Sequence, residues 1–218
     1  MPDGKKVALL LDGGWLTKVL REHLGKSKHP SDEQVYNFAL GCIKQGEELF
    51  RIYYYDCYPY DGRDENPITG NRVDFRQTPQ YGARMKFLDQ LSMRDYIAFR
   101  HGQLQHRRGD WGLKKGALED VCFASSKKLP LPNLLQDDIV PVFKQKGVDI
   151  KIGLDIAWLA LKRIVDRIIL MTNDTDFVPA MKFARREAIA IVLIDFGGVH
   201  KVLKGHTDEI RKPDLSNL

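Results

Sequence analysis

Several short stretches of this chain are apolar from end to end and stop at an aspartate. Val7, Ala8, Leu9, Leu10 and Leu11 precede Asp12; Ile168, Ile169, Leu170 and Met171 lead to Asp174 and Asp176; the apolar run 188–194 stops at Asp195. Runs with no polar alternation read as strands buried on both faces, as in a parallel sheet. Such strands carry the residues that follow them to the rim of the sheet. Asp149 and Asp155 flank another short run, 150–153, and join this set. Several carboxylates at one rim repel each other and partly protonate unless a cation joins them. The pattern points to a divalent-metal site.

The chain has 218 residues, 43% of them hydrophobic, enough for one full-sized core. A single domain spanning 1–218 is expected, with an irregular insertion around 58–132. No apolar run approaches the ~18 residues that cross a bilayer. The start, Met1 to Lys6, leads into a strand-like run without the apolar stretch and cleavage site of a signal peptide. Cys42, Cys57 and Cys122 form no Cys-x-x-Cys pattern, which fits a reducing compartment and speaks against structural zinc. A cytoplasmic protein without membrane partners is expected. The net charge of +5 permits nucleic acid as a partner without requiring it.

Periodicity supplies the architecture. A strand over 6–11 is followed by a turn at Asp12, Gly13 and Gly14, then by helical spacing of Trp15, Leu16, Val19 and Leu20 that stops near Gly25. Ser31 with Gln34 resembles a capping box, and 49–57 reads as a tyrosine-rich strand. Beyond it, 58–79 is rich in turn residues, 83–93 reads as a helix, 96–100 as a strand, 103–115 as a hairpin, and 125–132 as a polar loop. Alternation returns with a helix opening at Gly153, a strand over 167–171, a helix over 176–186, a strand over 188–194 and a short helix near 199–204. Strands alternating with helices predict an α/β fold with a mainly parallel central sheet.

Parallel sheets place their sites beyond the carboxyl ends of the strands. Asp12, before Gly13 and Gly14, fits that position best. Asp155 and Asp176 could equally cap the helices they precede, and Asp149 could sit in an ordinary turn. Mg2+ and Mn2+ prefer carboxylate and water oxygens, keep several waters, and can activate one to cleave a phosphate ester. Dinucleotide, phosphate-loop and nucleophile-elbow motifs do not occur in the sequence. The six histidines make no close ligand pair and read as surface or core residues.

The segment Val7 to Gly14 resembles the opening strand of NYN domains, a branch of the PIN-like nucleases. Lys146 to Ala157 is similar to a second block of the LabA-like members, and Ile169 to Pro179 to a third, in the same order. The resemblance runs from Lys5 to about Phe196. It implies a PIN-like three-layer α/β/α sandwich and hydrolysis of RNA phosphodiesters with Mg2+ or Mn2+. Carried over by position, Asp12, Asp155 and Asp174 are the catalytic acids, Asp149 and Asp176 further metal ligands, and Gly13, Gly14, Thr172 and Asn173 pocket residues. Family members often carry an asparagine shortly after the first-strand aspartate, where this chain reads Gly13, Gly14, Trp15. A homodimer is a further expectation of the resemblance.

Candidates for holding RNA are Arg100, Arg107, Arg108, Trp111 and Lys151, with Lys114 and Lys115 nearby. Basic side chains would neutralise phosphates while Trp111 stacks a base; alternatively Trp111 packs on the core of a solvated hairpin. Tyr58 and Tyr60 lie beyond a strand end and are the better tyrosines for contact. Lys182, Arg185 and Arg186, with Lys201 and Lys204, read as a solvated helix face. The leading expectation is a metal-dependent ribonuclease. Its rivals are a catalytically weak RNA- or protein-binding regulatory module of the same fold, and a phosphatase of small substrates.

Overall fold

The structure is a computed structural model describing residues 4–25, 29–213 and 215–216. The expected absence of a leader at 1–3 lies outside the described residues. In chain order the elements are β1 (Lys5–Asp12), α1 (Gly13–Leu24), α2 (Asp32–Gly41), β2 (Glu47–Cys57), β3 (Arg63–Glu65), β4 (Arg72–Asp74), α3 (Pro79–Ser92), β5 (Ile97–Gln105), β6 (Trp111–Leu113), α4 (Lys115–Ser126), β7 (Ile139–Pro141), β8 (Lys144–Lys146), α5 (Val148–Lys162), β9 (Arg167–Met171), α6 (Val178–Arg186), β10 (Ala190–Ile194), α7 (Lys201–Lys204) and β11 (Glu209–Arg211).

Seven strands form one sheet in the order β11-β10-β9-β1-β2-β5-β8. The pairings among β11, β10, β9, β1, β2 and β5 are all parallel. This is the mainly parallel α/β/α arrangement expected from the apolar runs. Side-chain alternation divides the strands between two layers of helices. Val7, Leu9 and Leu11 pack with α1, α2 and the end of α3 through Leu16, Leu20, Phe38, Leu88 and Leu91. The alternate residues Ala8, Leu10, Ile168 and Leu170 are equally buried, as are Ile152, Ile156 and Leu159 of α5 and Met181 of α6. No described helix is long and apolar enough to cross a membrane.

The chain separates into two compact units. The first comprises 1–58, 86–103 and 147–218; the second comprises 59–85 and 104–146. The second holds two small antiparallel pairs, β3 with β4 and β6 with β7. The hairpin expected over 103–115 does not form: β5 continues to Gln105, and Trp111 pairs with Pro141 rather than folding back. A helix, α4, occupies 115–126, where the sequence reading had none before the 125–132 loop.

Two local readings change near the aspartates. Gly13 and Gly14 are not a turn but the first residues of α1, capped by Asp12. The helix expected to open at Gly153 begins at Val148. Apolar residues at 148, 150, 152, 154 and 156 alternate with polar residues or glycine, a period of two that imitates a strand. Asp149 therefore lies in the first turn of α5 and Asp155 on its interior, so neither ends a strand and Asp155 caps nothing. The capping box at Ser31 and Gln34 forms as read.

Candidate metal and nucleic-acid site

β1 delivers Asp12 to the carboxyl edge of the sheet, between Tyr55 of β2 and the end of β9. Asp12 Oδ1 accepts hydrogen bonds from the amides of Gly14 (3.0 Å) and Trp15 (3.2 Å), fixing the start of α1. Its Oδ2 accepts from the buried Thr172 hydroxyl at 3.3 Å. That hydroxyl accepts in turn from the Asp174 amide at 3.2 Å, and Asp174 Oδ1 from the Asp176 amide at 2.9 Å. Thr172 thus joins the ends of β1 and β9. Asn173 Oδ1 accepts from the His200 amide at 2.6 Å, tying the following loop to the same edge.

The electrostatics join four acids. Burial pushes the Asp12 carboxyl above its ordinary value against its three hydrogen bonds, and the charge of Asp149 pushes it further. Desolvation raises Asp149 likewise, with the charges of Asp174 and Asp176 adding to it. Asp149 therefore couples electrostatically to Asp12 on one side and to Asp174 and Asp176 on the other. Among the described residues, no three His, Cys, Asp or Glu side chains converge closely enough to grip one ion. Magnesium-type ions that retain water need only one or two direct carboxylates, so this wider spacing remains compatible with such an ion.

Asp155 is committed elsewhere. Arg100 on β5 meets it from Nε (3.1 Å) and Nη2 (3.2 Å), and the Tyr55 hydroxyl donates to it at 2.9 Å. Burial and then the Asp155 charge raise the Tyr55 phenol well above its ordinary value. The Arg100 guanidinium also lies over the Tyr53 ring, 5.2 Å from its centroid. Lys151, one turn earlier on α5, donates to the His101 carbonyl at 2.6 Å. Two of the candidate RNA-holding cations, Arg100 and Lys151, thus flank Asp155.

Sequence reasoning missed Asp56. It lies at the end of β2, next to the residue paired with Asp12, and is only 5% exposed. Its Oδ2 accepts from the Tyr54 hydroxyl at 3.1 Å and its Oδ1 from the Cys57 amide at 2.7 Å. A Cβ on Gly13 would stand 2.5 Å from Asp56 Oδ2 and 2.7 Å from the Tyr55 carbonyl, so glycine is required by this close approach. The signal was available: Asp56 follows three strand-forming tyrosines, as Asp12 follows its apolar run. Asp195 is occupied at the rim by Lys204 and the Gly197 amide.

The remaining nucleic-acid candidates belong to the second unit. Arg107 and Arg108 are exposed, with Arg108 3.7 Å from Glu65. Trp111 is not a free stacking platform: its indole donates to buried Asp64 at 2.8 Å and its ring packs near Phe75 and His106. His106 lies wholly inside, its Nε2 2.6 Å from Asp64 and its Nδ1 2.8 Å from the Val142 carbonyl. Tyr60, Phe75 and Phe143 pack round the imidazole, which leaves Tyr60 half-buried in this cluster. Tyr58, in the first unit, remains 38% exposed against Phe99 and His101.

With this geometry in place, comparison with known proteins finds the NYN domain over residues 7–212. No curated protein matches the sequence. Among solved structures, the chain is similar to a Vibrio parahaemolyticus protein of unknown function, with a TM-score of 0.50 at 16% identity, covering 97% of this chain and 94% of that one. At that identity the likeness concerns the fold alone.

Proposed function

The chain belongs to the NYN domain family, a PIN-like group that is generally nuclease-like, and on that premise we propose that it is a metal-dependent ribonuclease hydrolysing RNA phosphodiester bonds. The observation that carries the reading is the coupling of Asp149, in the first turn of α5, to Asp12, Asp174 and Asp176, with Asp12 and Asp149 both raised by burial and neighbouring charge. Asp12 and Asp174 are the acids best placed to hold Mg2+ or Mn2+, with Asp149 and Asp176 completing the negative field. When bound, such an ion supplies Lewis acidity and activates water for attack on phosphorus.

The chain's own groups supply the rest. The amides of Gly14 and Trp15 and the hydroxyl of Thr172 hold the Asp12 carboxylate in one orientation. Asn173 keeps the adjoining loop in place. Asp155 fixes Arg100, and we assign this pair to the approach of the RNA backbone, with Lys151 beside it; Gly13 lets the start of α1 sit against Asp56 and the end of β2, and Gly14 donates to Asp12. The reading includes membership of the LabA-like branch, cytoplasmic location and a homodimer. Apolar Ile150, Leu154 and Leu161, each more than 60% exposed on α5, suit a contact between copies.

A binding-only module of the same fold is the second reading. It is favoured by Trp15 where a polar residue is common in the family, and by acids that stop short of a close cluster. Incubation of labelled single-stranded RNA with and without Mn2+ separates the two. Wild-type protein should cleave only with metal, and Asp174→Asn should lower the rate at least a hundredfold with the melting temperature kept. Cleavage that survives in the variant would overturn the mechanism; binding without turnover in the wild type would favour the module.

A further inference from the structure

The basic stripe on α6 is solvent-exposed, as its sequence suggests, and it also borders a cleft. Lys182, Arg185 and Arg186 follow helical spacing i, i+3, i+4 and so share one side of the helix. Together with residues 188–190, His206 and Asp208, that side lines an open cleft of about 600 Å³. The volume falls within the roughly 300–1,000 Å³ of small-molecule sites. All of these residues belong to the first unit.

The charges inside are unequally matched. Asp208 is the sole acid in the lining, and both its oxygens are engaged. Oδ2 accepts from the Ile191 amide at 2.8 Å, which locks it to β10, and Oδ1 accepts from Arg185 Nε at 2.8 Å. The carboxylate holds the guanidinium by one corner and leaves the two terminal nitrogens for another acceptor. A planar fork fixed from behind is suited to a phosphate, because little further ordering is needed when the anion arrives. Lys182 and Arg186 have no carboxylate partner among the described residues, and His206 adds a third polar group. Ile189, Ala188 and Ala190 contribute apolar surface beside this cationic wall.

We propose that this cleft is a phosphate-ester binding site, with Arg185 as the oriented fork, Lys182 and Arg186 as flanking charges, and the 188–190 turn as the resting surface for an attached nucleoside. It lies at the amino-terminal ends of β9 and β10, whereas Asp174 and Asp176 follow the carboxyl end of β9. The five residues of β9 set the two ends apart by roughly 17 Å. The cleft is thus separate from the acidic edge and does not depend on the nuclease reading. Its phosphate could come from a free nucleotide or from a position along an RNA chain.

The test is binding, made with proteins carrying Asp174→Asn so that RNA is preserved. Adenosine 5′-monophosphate, adenosine and a fluorescent single-stranded RNA octamer are titrated against the full chain at several salt concentrations. Lys182→Ala with Arg186→Ala should weaken the monophosphate at least tenfold and lower the salt slope for the octamer by about 0.7 for each phosphate that is no longer neutralised. Arg185→Lys, which retains the charge facing Asp208 but loses the fork, should weaken the monophosphate several-fold. Unchanged melting of each variant shows that the fold is intact. Displacement of the monophosphate by the octamer assigns the site to RNA phosphates; failure to displace it assigns the site to free nucleotides. Equal affinity for adenosine and its monophosphate, no effect of either variant, or no binding at millimolar concentration would overturn the proposal.

Discussion

Single residues at the acidic edge serve the fold and the chemistry together. Asp12 caps α1 with one oxygen while the other faces Thr172, so its loss removes a cap as well as a charge. Glycine shows the same dependence on place. At Gly13 an added methyl group meets Asp56, the Tyr55 carbonyl and the Tyr54 ring within 3 Å, and two of these belong to strand backbone or a buried acid. At Gly153, on α5, it meets nothing within 4 Å. Gly13→Ala is expected to destabilise by about 1–3 kcal/mol, and Gly153→Ala to stabilise by about 0.5–1 kcal/mol. Urea denaturation of the two variants checks both signs; a stable Gly13→Ala protein would mean that the β2 end yields easily.

Among the elements, legibility in the sequence followed period and length. β1, β9 and β10 were readable because four or more consecutive apolar residues have few other places to go, and the start of α2 because Ser31 and Gln34 carry its capping box. α5 was read late because its first turns alternate like a strand, and this displaced Asp149 and Asp155 from helix to strand ends. β11 gave no signal: three residues hold no period. Its place depends on Arg211, which is 4% exposed and binds the Cys42 carbonyl, Glu47 and Glu209, the first two far away in the chain. Arg211→Ala leaves Glu47 buried without this partner and should cost about 3–5 kcal/mol. A loss under about 1 kcal/mol in the same urea assay would show that Arg167 alone satisfies Glu47.

For the molecule as a whole, acid response is written into several carboxylates. Hydrogen bonding to Arg211 holds Glu209 down at about 2, against an ordinary 4.5. Burial works to raise Asp64, but His106, the Glu65 and Gly109 amides and Trp111 outweigh it and hold the carboxyl well below the usual range. Groups lowered in the folded state contribute stability that is complete above their unfolded values and fades as pH falls through the folded ones. Asp12 and Asp149, both raised on folding, contribute with the opposite sign, so the measurement is best made with the double variant Asp12→Asn, Asp149→Asn, which removes both charges. In that variant the urea midpoint should be level from about pH 7 to about 4.5 and fall steadily toward pH 2. A midpoint that rises on acidification would contradict the assigned pairs.

The enclosure of His106 has a consequence in time as well as in energy. The Val142 carbonyl can only accept, so Nδ1 is the nitrogen that donates to it. With the side chain wholly buried, that proton cannot reach water until the rings of Tyr60, Phe75, Trp111 and Phe143 part from the imidazole. The Nδ1 proton therefore exchanges with solvent at the rate at which the second unit opens, a clock internal to that unit.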